Sequence, residues 1–242
     1  TRIVTVSDTV QPTITLTGDA AVTVQCSDTY ADAGATAQDS CEGDLTADIV
    51  TGGDTVDVST PGVYTITYNV SDAAGNLAAE ATRTVTVVDT VQPVIALTGD
   101  AAVTVQCGGV YTDAGATAQD SCEGTLTADI VMGGDAVDVS TPGIYTITFN
   151  VSDAAGNLAA EATRIVTVVD TVQPVITLTG DAAVTVQCND VYTDAGATAQ
   201  DSCDGELTDN VVVGGDIVNT SVPGTYVITY SVSDAAGTLA QE

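Results

Sequence analysis

The 242-residue chain has no histidine, no lysine and no tryptophan, one phenylalanine, one methionine, and only three cations, Arg2, Arg83 and Arg164, against 33 acidic residues. Each absence removes a class of chemistry. Without histidine there is no histidine-based triad and no zinc site of the usual kind, and without lysine there is no Schiff base, P-loop or lysine isopeptide cross-link. A formal net charge of −30 repels phosphates and anionic lipid headgroups, so nucleic acid is not an expected partner. No run of 18 apolar residues occurs, so membrane insertion is not expected within this chain, and Thr1 does not open a signal peptide, so targeting is expected to lie outside it. Serine, cysteine and aspartate are present, but none has a base partner and each candidate recurs in every repeat. The chain is therefore not expected to be an enzyme.

What is present is repetition. Val87-Val88-Asp89-Thr90-Val91-Gln92-Pro93 recurs around Asp8 and around Asp170, with 81 residues between successive aspartates, and residues 8–88 differ from 89–169 at 12 of 81 positions. That period is too long for a helical solenoid and suits a small β-sandwich of roughly 100 residues. The expected division is 1–7 as the final strand of a preceding repeat, then repeats at 8–88, 89–169 and 170–242, the third without its last strand. A segment of a longer array has this phase, and so does a subunit that donates its first strand to a neighbour.

Within a repeat the apolar residues alternate. In Gly62–Asp72 the residues Tyr64, Ile66, Tyr68 and Val70 point one way and Thr65, Thr67, Asn69 and Ser71 the other, which is a half-buried strand; no segment sustains helical periodicity. Cys26 and Cys41, Cys107 and Cys122, and Cys188 and Cys203 form three pairs, each 15 residues apart. An even count at fixed spacing reads as disulfides in an oxidising, extracellular setting. A hairpin turning at Ala33-Gly34 sets Cys26 opposite Cys41, which favours bonds inside each repeat. If Ala35–Asp39 is instead a full strand crossing the sandwich, the sulfurs fall at opposite poles and successive repeats are bonded to one another.

The linked motifs Tyr30-x-Asp32-Ala33-Gly34-Ala35, Pro61-Gly62-x-Tyr64-x-Ile66-Thr67-Tyr68-x-Val70-Ser71-Asp72-Ala73-Ala74-Gly75-Asn76 and Thr82-Arg83-x-Val85-Thr86-Val87-Val88-Asp89 resemble the immunoglobulin-like repeat of bacterial surface proteins. They are similar also to the hyalin repeat. The resemblance implies an all-β fold of tandem immunoglobulin-like β-sandwich domains in an extended array, with Tyr64 placed like a tyrosine corner. In such a sandwich the entering chain, the end of the Ala35–Asp39 segment and the last loop share one pole. Asp8, Asp39, Asp72 and Asn76 are then expected to converge, as are Asp89, Asp120, Asp153 and Asn157, and Asp170, Asp201 and Asp234, where Thr238 replaces the asparagine. Three carboxylates and an amide make an all-oxygen site suited to calcium. Asp19 is expected to face Asp89 across the joint, and Asp100 to face Asp170. Turn formation alone is the competing account of these aspartates. The arginines are expected to pair with a carboxylate across the sheet, worth about 0–1 kcal/mol if exposed.

These features point to an extracellular or cell-surface spacer, stalk or filament of calcium-stiffened, disulfide-bonded repeats, part of an adhesin or fibre, whose partners are neighbouring copies of itself. The alternatives are an adhesive module that binds a glycan, a protein or a host surface, and a subunit that polymerises by strand donation.

Overall fold

The computed structural model describes residues 1–240 and is nearly all strand and loop. It contains two compact units. One comprises Thr1–Ala96, Thr117–Ile130 and Asn150–Ala160, and the other Leu97–Ala116, Val131–Phe149 and Glu161–Glu242. The first holds all of repeat 1 and most of one sheet of repeat 2; the second holds the other sheet of repeat 2 and repeat 3.

Repeat 1 is a two-sheet sandwich. After the buried Pro12, β1 (Thr13–Leu16) pairs antiparallel with β3 (Ala35–Asp39), which pairs with the short β4 (Gly43–Asp44). At Thr17–Ala20 the chain leaves this sheet through Gly18, whose φ of +80° suits a residue without a Cβ. It continues in the second sheet as β2 (Ala21–Gln25), parallel to β7 (Ala81–Val88) with Ala21 opposite Thr84 and Gln25 opposite Val88. That sheet is completed by β6 (Gly62–Asn69) and β5 (Val50–Gly53), in the order β2-β7-β6-β5.

This switch of sheets decides the cysteine geometry. Because β2 runs with β7, Cys26 comes out at the pole where the repeat ends, and its N–H donates to the Val88 carbonyl at 2.7 Å. Because β3 runs back against β1, Cys41 comes out at the pole where the repeat begins. The expected hairpin pairing of Cys26 with Cys41 is therefore not what forms. Cys26 is bonded to Cys122 and Cys107 to Cys203, each between successive repeats, with Cα separations of 5.6 and 5.5 Å.

The core lies between the sheets. Val24, Ile66, Tyr68 and Val85 form one buried cluster, and Ala37, Leu45 and Val70 another, with Ile14 and Ile49 packed on both. The inward residues of β6 are those the alternation predicts. Tyr64 donates from its hydroxyl to the Thr60 carbonyl at 2.9 Å, closing the corner before β6 as a tyrosine corner does.

The same plan recurs. In repeat 2, β8 (Val94–Leu97), β10 (Ala116–Asp120) and β11 (Gly124–Thr125) form one sheet. The other is β9 (Ala102–Gln106), β14 (Ala162–Val169), β13 (Gly143–Asn150) and β12 (Val131–Gly134). Repeat 3 has β15 (Val175–Leu178), β16 (Ala197–Asp201) and β17 (Gly205–Glu206) in one sheet, and β18 (Val212–Gly215) with β19 (Ile228–Ser231) in the other. Ala199, Leu207 and Val232 are buried there, with Ile176 and Val211 against them.

Candidate functional site

The start of β1, the end of β3 and the turn after β6 lie at one pole of repeat 1. They bring together Asp8, Asp39 and Asp72, with one carboxylate oxygen of each within 4.8 Å of the others. Asp89, Asp120 and Asp153 meet in the same way, all three buried, and so do Asp170, Asp201 and Asp234.

Within each group the two carboxylate oxygens have different surroundings. Asp39 Oδ1 accepts the backbone N–H groups of Cys41 at 2.7 Å and Glu42 at 3.0 Å; Asp8 Oδ1 accepts that of Val10 at 3.0 Å. Asp72 Oδ1 accepts the Asn76 N–H at 2.7 Å. These are ordinary aspartate turns, and turn chemistry accounts for them fully. It does not account for the second oxygens. The Oδ2 atoms of Asp8, Asp39, Asp89, Asp120, Asp170, Asp201 and Asp234 are buried and have no hydrogen-bond partner.

Asp72 and Asp153 are absent from that set for a visible reason. Asn76 Nδ2 donates to Asp72 Oδ2 at 2.6 Å and to the Asp8 carbonyl at 3.3 Å, and Asn157 does the same for Asp153 and Asp89. Thr238 stands in the corresponding place in repeat 3, so Asp234 Oδ2 is left bare. Each asparagine thus ties the carboxylate of the last loop to the backbone of the entering aspartate. Burial pushes the Asp72 carboxyl up, and the Asn76 donors outweigh it, leaving it below the usual carboxylate range. Three like charges this close repel by about 1 kcal/mol per pair in water and by about 3–4 kcal/mol at an effective dielectric of 20. No side-chain cation offsets them, since the two buried arginines are committed elsewhere.

The groups at Asp89 and Asp170 sit on joints. Gln25 Nε2 donates to Asp89 Oδ1 at 3.2 Å, and its Oε1 accepts from the Thr90 hydroxyl at 2.7 Å. Gln106 repeats this with Asp170 at 3.1 Å and Thr171 at 2.8 Å. Beside Gln25 is the Cys26–Cys122 bond, and Ser27, held at a φ of +69°, donates from its hydroxyl to the Ser121 carbonyl at 2.7 Å. Cys203 lies near Asp170 and Asp204, but its sulfur is spent on the bond to Cys107 and offers no thiolate.

Asp19 and Asp100 are not part of these groups. Both are exposed, and they contribute backbone carbonyls to Arg83 Nε and Arg164 Nε, each at 3.0 Å. The residue that reaches Asp89 from repeat 1 is Gln25, because β2 runs parallel to β7 and carries its last residue, not its first, to the joint.

Arg83 and Arg164 pair with carboxylates as expected, those of Asp32 and Asp113, but they do so buried rather than exposed. Arg83 and Arg164 are 1% exposed. Arg83 Nη1 bonds Asp32 and the Tyr68 hydroxyl, and Nη2 bonds the carbonyls of Thr17 at 2.5 Å and Gly34 at 3.2 Å. Its guanidinium lies 5.8 Å from the Tyr68 ring centroid, and that of Arg164 5.7 Å from Phe149. Burial raises the Asp32 carboxyl, and the Tyr68 and Arg83 hydrogen bonds more than reverse this, so it lies below its usual value. Burial and the Asp32 carboxylate push the Tyr68 phenol up to about 12.

A family model described as bacterial surface protein, Ig-like domain, matches residues 14–87, 95–168 and 176–242. The chain belongs to this family. Its carboxylate groups therefore stand at the head of each Ig-like domain of a tandem array. The pesticidal crystal protein Cry22Aa of Bacillus thuringiensis is 32% identical over 218 residues, covering 84% of this chain. The chain spans 28% of that relative's length. Similar solved structures include the lipoprotein BT2262 of Bacteroides thetaiotaomicron (16% identity, TM-score 0.30, 64% of this chain and 98% of that one). Another is human protocadherin-24 EC1-2 (11% identity, TM-score 0.29, 67% and 100%). Among the described residues no helix is long and apolar enough to cross a membrane, which says nothing of β-barrels.

Proposed function

We propose that this bacterial surface Ig-like chain is a non-catalytic, extracellular spacer whose repeats are joined by disulfides and stiffened by calcium at the carboxylate groups. The observation that carries the reading is the set of seven buried Oδ2 atoms with no partner, two in each of the first two aspartate groups and three in the last, where the chain enters each repeat. A buried charged oxygen without a partner is costly, and a cation at the centre of each group would offset both that cost and the mutual repulsion. The donors are hard oxygens on aspartates held in place by backbone N–H groups. Three carboxylates supply part of the six to eight oxygens calcium takes, leaving the rest to carbonyls and water. Zinc is disfavoured, since there is no histidine and the bonded cysteines are not thiolates. At Asp89 and Asp170 the ion would brace a joint that Gln25 and Gln106 already hold to the preceding repeat.

The test is melting and small-angle scattering in calcium and in chelator. A ligand at 100 times its Kd stabilises by about 2.7 kcal/mol per site, so calcium should raise the melting temperature and narrow the distribution of interdomain angles. Asp120→Asn should remove the share of the middle site. Identical melting and scattering with and without calcium would reject the reading.

A further inference from the structure

The aspartate groups that head repeats 2 and 3 differ at two neighbouring residues. In repeat 2 the last loop carries Asn157, whose Nδ2 donates to Asp153 Oδ2 at 2.8 Å and to the Asp89 carbonyl at 3.2 Å. In repeat 3 that place belongs to Thr238, which keeps the backbone bond to Asp234 Oδ1 at 2.6 Å and has no amide to give. The second difference is one methylene. Glu123 of repeat 2 is exposed and accepts the Ala154 N–H at 2.8 Å. Its counterpart Asp204 accepts the Ala235 N–H at 2.5 Å from a half-buried position, and its carboxylate also comes within 4.8 Å of that of Asp170. Repeat 1 follows repeat 2, with Asn76 and Glu42 in these places.

The orphaned oxygens record the outcome. Asp89 and Asp120 each leave Oδ2 without a partner, while Asp153 Oδ2 is taken by the amide. In repeat 3 the Oδ2 atoms of Asp170, Asp201 and Asp234 are all without one, and Asp201 and Asp234 are only 8% and 6% exposed. A cation entering the repeat 2 group must leave Asp153 Oδ2 to Asn157 or break that bond. Turning the amide over does not help, because its oxygen would then face the Asp153 carboxylate and the Asp89 carbonyl, both acceptors. In repeat 3 no such bond stands in the way. Its three facing oxygens have more repulsion for an ion to relieve, and Asp204 adds a fourth carboxylate beside Asp170. Calcium affinity rises with the number of charged ligands and with their freedom to bind.

We infer that the Asp170–Asp201–Asp234 group is the tight calcium site of the chain and that Thr238 sets its affinity, so the joint into repeat 3 loads first as calcium rises. This rests on the calcium reading above and adds an order of filling to it. A hydrogen bond to a charged group shifts an equilibrium by roughly ten- to a hundredfold, so the third site should bind about tenfold tighter than the second.

The experiment titrates the disulfide-bonded 242-residue chain with calcium by isothermal calorimetry and records its melting in chelator and in calcium. The expected isotherm has one tight phase and weaker ones about tenfold apart. Asp201→Asn, whose amide oxygen can still accept the Cys203 and Asp204 N–H groups, removes the tight phase. Thr238→Asn is the decisive variant. Its amide can bond Asp234 Oδ2, so melting in chelator should rise while the tight Kd weakens about tenfold and the further rise on adding calcium shrinks. A purely structural role would move both melting temperatures the same way. Asn157→Thr should do the reverse, lowering the melting temperature in chelator and adding a second tight phase. Calcium binding with equal affinities, a tight phase that survives Asp201→Asn, or a tight Kd unchanged by Thr238→Asn would overturn this inference and leave the calcium reading standing. No calcium uptake at all would reject both.

Discussion

Replacing Arg83 by methionine keeps most of the stem volume and removes the guanidinium. The carbonyls of Thr17 and Asp19 lose the guanidinium donor, that of Gly34 keeps only the Thr17 N–H at 2.9 Å, and Asp32 keeps the hydroxyls of Tyr68 at 2.6 Å and Tyr30 at 3.3 Å. Breaking a buried ion pair from one side costs about 3–5 kcal/mol. The Asp32 side chain is 27% exposed, so solvent relieves part of its stranded charge and the lower end, about 3 kcal/mol, is expected. A repeat of this size is stable by about 4–12 kcal/mol in all, so the loss takes a large share. It corresponds to a fall of about 12–24 °C in the melting of repeat 1. Calorimetry and urea unfolding measure it, with Arg2→Met, which touches nothing in the isolated chain, as the control expected within about 0.5 kcal/mol. Adding Asp32→Asn to Arg83→Met should recover part of the loss, because the stranded charge is gone. If Arg83→Met alone costs less than about 1 kcal/mol, the guanidinium is not the keystone that its contacts suggest.

Acid should act through the same pair. The folded Asp32 and Asp113 carboxyls lie below their unfolded values, so their contribution is present above about pH 4, the ordinary aspartate pKa, and is lost as pH falls through the lower folded values. Melting temperatures recorded from pH 5 down to pH 2 should therefore fall, and fall less steeply in the Asp32→Asn variant. Reduction of the two disulfides is expected to cost more than a short-loop bond would. In the chain-entropy model a closed loop of 96 residues is worth about 4–5 kcal/mol. Because each bond crosses a joint, reduction should also split the calorimetric transition into separately melting repeats, whereas one undivided transition in reductant would contradict this.

Much of the fold was legible because it depends on local alternation. Tyr64, Ile66, Tyr68 and Val70 face the core in a strand bounded by a Pro-Gly corner and an Asp-Ala-Ala-Gly turn, and period-two reading finds such a strand without help. The cysteine pairing was not, because it hangs on Thr17–Ala20. A four-residue β1 that changes sheets looks in sequence like an ordinary turn, and a hairpin reading then places Cys26 opposite Cys41. The burial of Arg83 had a signal that chemistry hid: it shares the parity of Val85 and Val87, the inward face of β7, yet a lone cation on a strand reads as a surface residue. Gln25 and Gln106 gave none, since their partners Asp89 and Asp170 lie 64 residues away. The meeting of the aspartates is readable only through the fold, which alone says which loops share a pole.

Putting one cysteine at each pole has a consequence that a bond within a repeat could not have. A staple between Cys26 and Cys41 would leave the joint with only the backbone through Asp89 and the Gln25 hydrogen bonds. Each actual bond spans 96 residues, one 81-residue period plus the 15-residue step, so any further repeat of the same phase adds one bond and needs no new sequence. At each joint the chain itself, the disulfide and the glutamine clamp on the leading aspartate are three separate attachments. The carboxylates at the same place are then the one component whose effect depends on the medium. A joint already held by covalent and hydrogen bonds should keep part of its geometry without a cation, and calcium should narrow the motion that is left while raising the melting temperature. A joint that swings freely until calcium arrives would mean that the disulfide and Gln25 constrain far less than their positions indicate.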